Sequence, residues 1–276
     1  MRNLWFITNP GSGSSTTEKC EALAALFADH GLTLVGRTTF PADAMPDPKA
    51  LDSAGVDTVV LFAGDGTINT AIRRLSDWNG SILILPGGTM NLLAKTLHGN
   101  ADPAAIILAT HGKTRLVDLP YVAAGDHRAY VGLILGPAAS WVHARELVRA
   151  GRLRGLARAV RHAWARTFGR GIRVGGASGL PSGAQAILIS PEGSSLTLSA
   201  IDARDWGTIA KLGWDWMTGD WVAATAITQV HADRVHLLGK KPVLALFDGE
   251  PEQLAPSVPI HSGKTPARFI STLPAA

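Results

Sequence analysis

The sequence predicts an α/β domain followed by an all-β domain, and three observations carry that expectation. In the first hundred residues, short apolar stretches alternate with loops and helical patterns, the order that builds a parallel sheet. Beyond Arg173, strand-like stretches succeed one another with turn formers between most of them, which suggests a sandwich. Between the two lies a basic helical stretch, 138–171. The boundary is expected near residue 118, giving domains 1–118 and 119–276, with the last strand left able to return to the first.

The elements follow in order. Leu4 to Thr8 reads as a strand, and Asn9-Pro10-Gly11-Ser12-Gly13-Ser14 as the loop after it. Ser15 with Glu18 spells a capping box for a helix that ends near Gly31. Leu32 to Thr38 is a second strand ended by Pro41, and a short helix reaches Ala54. Asp57 to Phe62 is a third strand, breaking at Gly64-Asp65-Gly66 into a helix from Thr67 with Ile68, Ala71, Ile72 and Leu75 on one face. Ser81 to Leu85 is a fourth, broken by Pro86-Gly87-Gly88-Thr89-Met90-Asn91 before a helix with Leu92, Leu93 and Leu97. Asp102 to His111 is a further helix.

Tyr121 to Leu135 reads as a hairpin turning at Gly125-Asp126. In 138–171, Leu153, Leu156, Val160, Trp164 and Phe168 form an apolar stripe beside an arginine-rich face, as an interfacial membrane helix requires. The alternative is a helix packed on the second domain with its arginines in water. Strands are expected at 185–190, 196–201, 221–230, 234–238, 243–247 and 268–272. Trp206, Trp214, Trp216 and Trp221 are core, or line an acyl-binding groove.

Composition narrows the class. With 46% hydrophobic and 17% charged residues, the chain is too apolar for disorder. No apolar run approaches a membrane span, and Met1-Arg2-Asn3 leads directly into a strand without a signal-peptide pattern. The single cysteine, Cys20, excludes an internal disulfide and suits a reducing cytoplasm. A net charge of +4 fits anionic partners, nucleotides or acidic lipid surfaces, without choosing between them.

The loops carry the chemistry. Gly64 and Gly66 let backbone approach a ligand closely, and the helix that follows presents free N–H groups and a positive dipole end. Such a place favours phosphate. Asp65 would repel a bare phosphate but suits one carrying Mg²⁺, so the reading is a nucleoside triphosphate with its metal. The loops at 64–69 and 86–91 would lie side by side at the carboxyl ends of a parallel, Rossmann-like sheet, where open α/β sheets bind ligands.

Gly64-Asp65-Gly66-Thr67-x-Asn69, Pro86-Gly87-Gly88-Thr89-x-Asn91 and, far downstream, Phe247-Asp248-Gly249-Glu250 together resemble the catalytic domain of diacylglycerol kinases and their sphingosine-kinase and bacterial lipid-kinase relatives. Asn9, Pro10, Ser12 and Gly13 match that family's Asn-Pro-x-Ser-Gly element. The resemblance implies a second, β-sandwich domain and an ATP- and Mg²⁺-dependent kinase acting on a hydroxyl of diacylglycerol or a related lipid. It implies nucleotide contacts from Asn9, Pro10, Ser12, Gly13, Thr38, Gly64, Asp65, Gly66, Thr67, Asn69, Gly88, Thr89 and Asn91, with Asp65 on the metal. Asp248 is the implied general base and Glu250 its support, with the roles exchangeable. Glu192 aligns loosely with a structural metal site of some relatives, and no second metal is assigned to it.

Three positions depart from the pattern. Ala63 replaces a glycine, and Thr70 and Leu92 replace acids that usually follow the two asparagines. The loss of both acids leaves open a different acceptor, or a nucleotide-binding regulatory protein without catalysis. An NAD kinase shares the Gly-Asp-Gly-Thr loop, but Gly88-Thr89-Met90-Asn91 with Asp248-Gly249-Glu250 favours the lipid branch. A dehydrogenase is disfavoured, because no Gly-x-Gly-x-x-Gly follows the first strand. Expected partners are the lipid substrate and an anionic membrane surface, with no nucleic acid; the expected location is the cytoplasm or the inner membrane surface. The acceptor lipid and oligomeric state are not legible.

Overall fold

The computed structural model describes residues 1–112, 114–136, 171–181, 183–184, 186–201 and 227–274. The basic amphipathic stretch and Trp206, Trp214, Trp216 and Trp221 lie outside the described residues. The chain divides into two units, Met1–Leu119 with Lys264–Ala276, and Pro120–Gly263.

The first unit is a parallel sheet with helices. Its strands are β1 (Asn3–Thr8), β2 (Thr33–Thr39), β3 (Thr58–Ala63) and β4 (Ser81–Pro86), in the order β2-β1-β3-β4. The helices are α1 (Thr17–Asp29), α2 (Pro48–Ser53), α3 (Asp65–Arg74), α4 (Leu92–His98) and α5 (Pro103–Ala109). All six residues of β3 are buried, as expected of a central parallel strand covered on both faces. Leu4, Phe6, Val60, Phe62, Leu83 and Leu85 point to one side, where Phe27 of α1 and Ile106 and Ile107 of α5 meet them.

Two helix starts differ from the sequence reading. The first helix is capped by Thr16, whose side chain accepts from Lys19 N–H; Ser15 is buried and its hydroxyl donates to Phe62 C=O instead. The helix after β3 begins at Asp65, two residues early, because Gly64 takes the extended cap conformation and Asp65 enters the first turn.

The second unit is antiparallel. Its strands include β5 (Arg115–Ala124), which enters from the first unit, β6 (His127–Ala129), β7 (Leu133–Leu135), β8 (Val174–Gly175), β9 (Ala186–Glu192), β10 (Ser195–Ile201) and β11 (Ile227–Ala232). They continue as β12 (Arg234–Leu237), β13 (Val243–Phe247), β14 (Glu250–Leu254) and β15 (Pro259–Ser271). One sheet runs β11-β10-β9-β7-β13-β14. Its inward residues Leu133, Leu135, Ile187, Ile189, Leu198 and Phe247 share a core with Val122, Ala124, Val235 and Ile260 from a second layer of strands. The chain is thus an α/β domain combined with a β-sandwich.

The long last strand was only partly legible. Val235 and His236 of β12 pair with Ile260 and Pro259 at its start, whereas Arg268 and Phe269 near its end pair in parallel with Ser81 and Ile82 of β4. Thr272 N–H and the Ser271 hydroxyl then bond Leu97 C=O, fastening the chain end to α4.

The expected hairpin 121–135 is corrected in its second half. Val122, Ala123 and Ala124 pair with Ala129, Arg128 and His127, but Leu133–Leu135 joins β9 and β13 in the other sheet. The strand breaks at Tyr130-Val131-Gly132 because those three backbone N–H groups are taken by the Asp248 carboxylate.

Candidate functional site

Three loops at the carboxyl ends of β1, β3 and β4 are stitched into one cluster. Asn9 anchors the first: its Nδ2 donates to Thr67 Oγ1 (2.9 Å), while its Oδ1 accepts Gly11 N–H. The Ser12 hydroxyl accepts Gly64 N–H at 3.0 Å, and Ser14 N–H reaches Gly87 C=O at 3.1 Å. These bonds tie loop 9–14 to both of its neighbours.

The glycines are demanded first by this packing. A Cβ on Gly13, whose φ is +56°, would stand 2.6 Å from the Gly88 carbonyl carbon. One on Gly88 would stand 2.7 Å from Gly64 Cα. Backbone meets backbone at these positions, so no side chain can swing aside.

Asp65 completes the cluster. Its Oδ2 accepts Asn91 N–H at 3.1 Å and its Oδ1 accepts Leu92 N–H at 3.0 Å, so the carboxylate spans from the start of α3 to the start of α4. Asn91 sits in the left-handed region (φ 53°), and its amide closes the loop on itself through Gly88 N–H and C=O. The reading from sequence gave Asp65 a metal; the structure also gives it this bracing task. A carboxylate oxygen can serve more than one partner, and one protein carboxylate suffices where phosphates and water complete a magnesium shell. The residues therefore fit a metal carried by a phosphate. Among the described residues no group of three or more His, Cys, Asp or Glu side chains could hold one by itself.

The other expected contacts fall unevenly. Thr67 is buried against Asn9, Thr89 is exposed, and Pro10, Gly66 and Asn69 are half-buried in or beside the loops. Thr38 lies on β2, buried, and its hydroxyl accepts from Trp5 Nε1, so the structure gives it a packing task. Of the two positions where acids are replaced, Thr70 is exposed and bonds back to Gly66 C=O, while Leu92 is buried.

In the second unit, β13 delivers Asp248 and Gly249 into the turn before Glu250. Asp248 has φ +50° and is 6% exposed. Its Oδ2 accepts Tyr130 N–H at 2.7 Å and its Oδ1 accepts Val131 and Gly132 N–H at 2.8 and 2.9 Å; its own N–H donates to Gly132 C=O. Three N–H donors favour the ionised form and fix the carboxylate in place. Glu250, at the start of β14, is exposed. The receiving segment 130–132 had no signature in the sequence beyond the flexibility of Gly132.

Residues 3–122 match the diacylglycerol kinase catalytic domain, a segment that holds all three loops. Over that segment the chain is similar to the diacylglycerol kinase catalytic domain. A Streptococcus pneumoniae serotype 4 (strain ATCC BAA-334 / TIGR4) protein named "Putative lipid kinase" is 32% identical over 108 residues, which cover 37% of this chain and 36% of the relative. The aligned part is thus about a third of that protein's length. A solved structure of a diacylglycerol kinase from Bacillus anthracis str. Sterne aligns over 98% of this chain and 97% of its own, with TM-score 0.61 and 16% identity. At that identity the two share a fold. Among the described residues, no helix is long and apolar enough to cross a membrane.

Proposed function

We propose that the chain is a lipid kinase that transfers the γ-phosphoryl group of ATP, with Mg²⁺, to a hydroxyl of diacylglycerol or a related lipid. The single observation that supports this reading most is the three-loop cluster, with Asp65 braced between two strand-loop-helix units inside the segment that matches the family. The first turn of α3 has N–H groups without helical partners, and the clustered glycine loops beside it expose backbone, a combination suited to phosphate. Asp65 holds the metal in this reading, and bound magnesium supplies charge neutralisation along the phosphates.

Asp248 and Glu250 serve the acceptor. A carboxylate bonded by three backbone N–H groups is a weak base held in a fixed place. That suits phosphoryl transfer, whose loose transition state needs the acceptor hydroxyl oriented and its proton removed late. Asp248 orients the hydroxyl and accepts its proton, and Glu250 supports it. The replacement of both family acids by Thr70 and Leu92 favours one second reading, a nucleotide-binding protein without catalysis.

The experiment is transfer of label from γ-labelled ATP to a panel of diacylglycerol, monoacylglycerol, ceramide, sphingosine, undecaprenol and NAD. A labelled lipid product supports the proposal and names the acceptor. ATP binding without transfer to any of them selects the second reading, and labelled NAD would move the chain to another branch.

A further inference from the structure

The backbone that receives Asp248 continues from β6, and β6 carries a cation with no task in the account so far. Arg128 stands opposite Ala123 of β5, while its neighbour Ala129 turns to the other side and enters the core. Arg128 is half-exposed, so a dissolved ligand can reach it.

Aromatic groups hold its guanidinium. The Arg128 Cζ lies 4.7 Å over the centre of the Tyr121 ring. It also reaches the Tyr130 hydroxyl, a buried group with no other partner among the described residues. The two tyrosine rings stand edge-on, with centroids 5.9 Å apart and planes at 71°. Burial pushes the Tyr130 phenol up to about 12, against the pull of the guanidinium, so at neutral pH the hydroxyl is uncharged and neutralises nothing.

No acid neutralises Arg128 either. Among the described residues no ion pair includes it. Asp118 faces Lys264 at 3.6 Å, Glu252 faces His127 at 3.7 Å, and Asp248 is engaged by three backbone N–H groups. A guanidinium fixed by uncharged aromatic groups keeps most of its N–H donors, and its full charge, for an anion. Its planar fork matches the paired oxygens of a phosphoryl group.

Its place in the fold says which phosphoryl group. Asp248 Oδ2 accepts the N–H of Tyr130, the residue whose hydroxyl Arg128 reaches, and the charges of Arg128 and Asp248 are both felt at that hydroxyl. An ionised acid that meets the acceptor hydroxyl repels the phosphoryl oxygens arriving there, and a cation beside it offsets that repulsion.

We propose that Arg128 is the phosphoryl-binding residue of the acceptor side: its guanidinium bonds oxygens of the phosphoryl group as that group reaches the acceptor lipid. The inference rests on the lipid-kinase reading above, and its test separates the two. In the step itself the bond from acceptor oxygen to phosphorus forms, the bond from phosphorus to the ADP oxygen breaks, and Asp248 takes the hydroxyl proton. Arg128 forms no covalent bond and moves no proton.

The probes are dihexanoylphosphatidate and dihexanoylglycerol, soluble lipids that differ only in the phosphate. Each is titrated calorimetrically into the full chain as wild type, Arg128→Gln and Arg128→Lys, with label transfer from ATP measured in parallel. Arg128→Gln should bind the phosphatidate about tenfold more weakly and dihexanoylglycerol within about twofold of the wild type. Its kcat should fall about tenfold while the KM for dihexanoylglycerol holds. Arg128→Lys keeps a charge without the fork and should lose about threefold for the phosphatidate alone; it decides by the same comparison if the Gln variant fails to fold. A packing role would weaken both lipids alike, so equal weakening of the two would overturn the proposal. Unchanged phosphatidate binding in the variants, or none by the wild type, would overturn it as well. Selective loss of phosphatidate binding, with no label transfer by the wild type, would support the phosphoryl site and overturn the kinase reading.

Discussion

Asp65 and Asp248 invite comparison, because each is the acid of a Gly/Asp motif and each spends its carboxylate on backbone N–H groups. Asp65 accepts two, from Asn91 and Leu92, and joins two loops that follow parallel strands. Asp248 accepts three, from Tyr130, Val131 and Gly132, and breaks what would otherwise be one long strand. The first acid braces neighbours along a sheet edge; the second pins a segment 118 residues away in the chain. In both, the motif acid builds the loop that carries it.

The largest expected effect separates chemistry from bracing at Asp248. Asp248→Ala leaves three N–H groups without an acceptor and should destabilise the second unit by about 3–5 kcal/mol, so it cannot isolate the catalytic role. Asp248→Asn keeps the shape and one strong acceptor. It should lower label transfer at least about 100-fold while ATP affinity, measured by titration, stays within twofold. Near-normal turnover would leave Asp248 a bracing residue alone.

Next comes Gly88→Ala in the first unit. The new Cβ would meet the Gly64 backbone, and the strain should cost about 1–3 kcal/mol, read as a lower melting temperature together with ATP binding weakened at least tenfold. Unchanged ATP affinity at the lower melting temperature would take the loops out of the nucleotide site.

Asp65→Asn should cost stability on a similar scale, because an amide can satisfy only one of the two N–H donors and turns its own N–H₂ toward the other. We expect a stability loss of about 1–3 kcal/mol and ATP binding that no longer strengthens when Mg²⁺ is added. If Mg²⁺ still strengthened binding as in the wild type, bracing would be the whole task of Asp65.

The smallest effect concerns the seam where the last strand docks. His98 Nδ1 lies 3.0 Å from Thr272 Oγ1, and burial depresses the imidazole from its ordinary range to about 4. The unfolded chain takes up a proton near pH 6.5, so between about 6.5 and 4 it binds more protons than the folded one. Stability from this group is complete above 6.5 and falls with acidification toward 4. Melting curves from pH 7.5 to 5 should fall more steeply for the wild type than for His98→Gln. Equal slopes would deny His98 this role.

Much of the first unit was legible because parallel strands buried on both faces are uniformly apolar and end in glycine or proline. The Val59 to Phe62 run and the Gly64-Asp65-Gly66 break needed no tertiary information. What stayed hidden was set by distant partners. Ser15 with Glu18 spells a helix cap, but Phe62 C=O takes the Ser15 hydroxyl and Thr16 caps instead. The 121–135 hairpin reads as continuous because nothing in Tyr130-Val131-Gly132 announces that Asp248 will claim its N–H groups. For the site, residue types were legible and their local partners were not: nothing in the sequence announces that the Thr38 hydroxyl accepts from Trp5 Nε1 or that Asp65 bridges to Asn91 and Leu92.

The proposed activity is transfer of a phosphoryl group from ATP to a lipid alcohol. Incubation of the full chain with γ-labelled ATP, Mg²⁺ and diacylglycerol in mixed micelles tests it most directly. The account predicts a labelled phosphatidic acid or related lipid phosphate from the wild type and at least about a hundredfold less from Asp248→Asn. Absence of labelled lipid across the whole acceptor panel, from protein shown by titration to bind ATP, would contradict it.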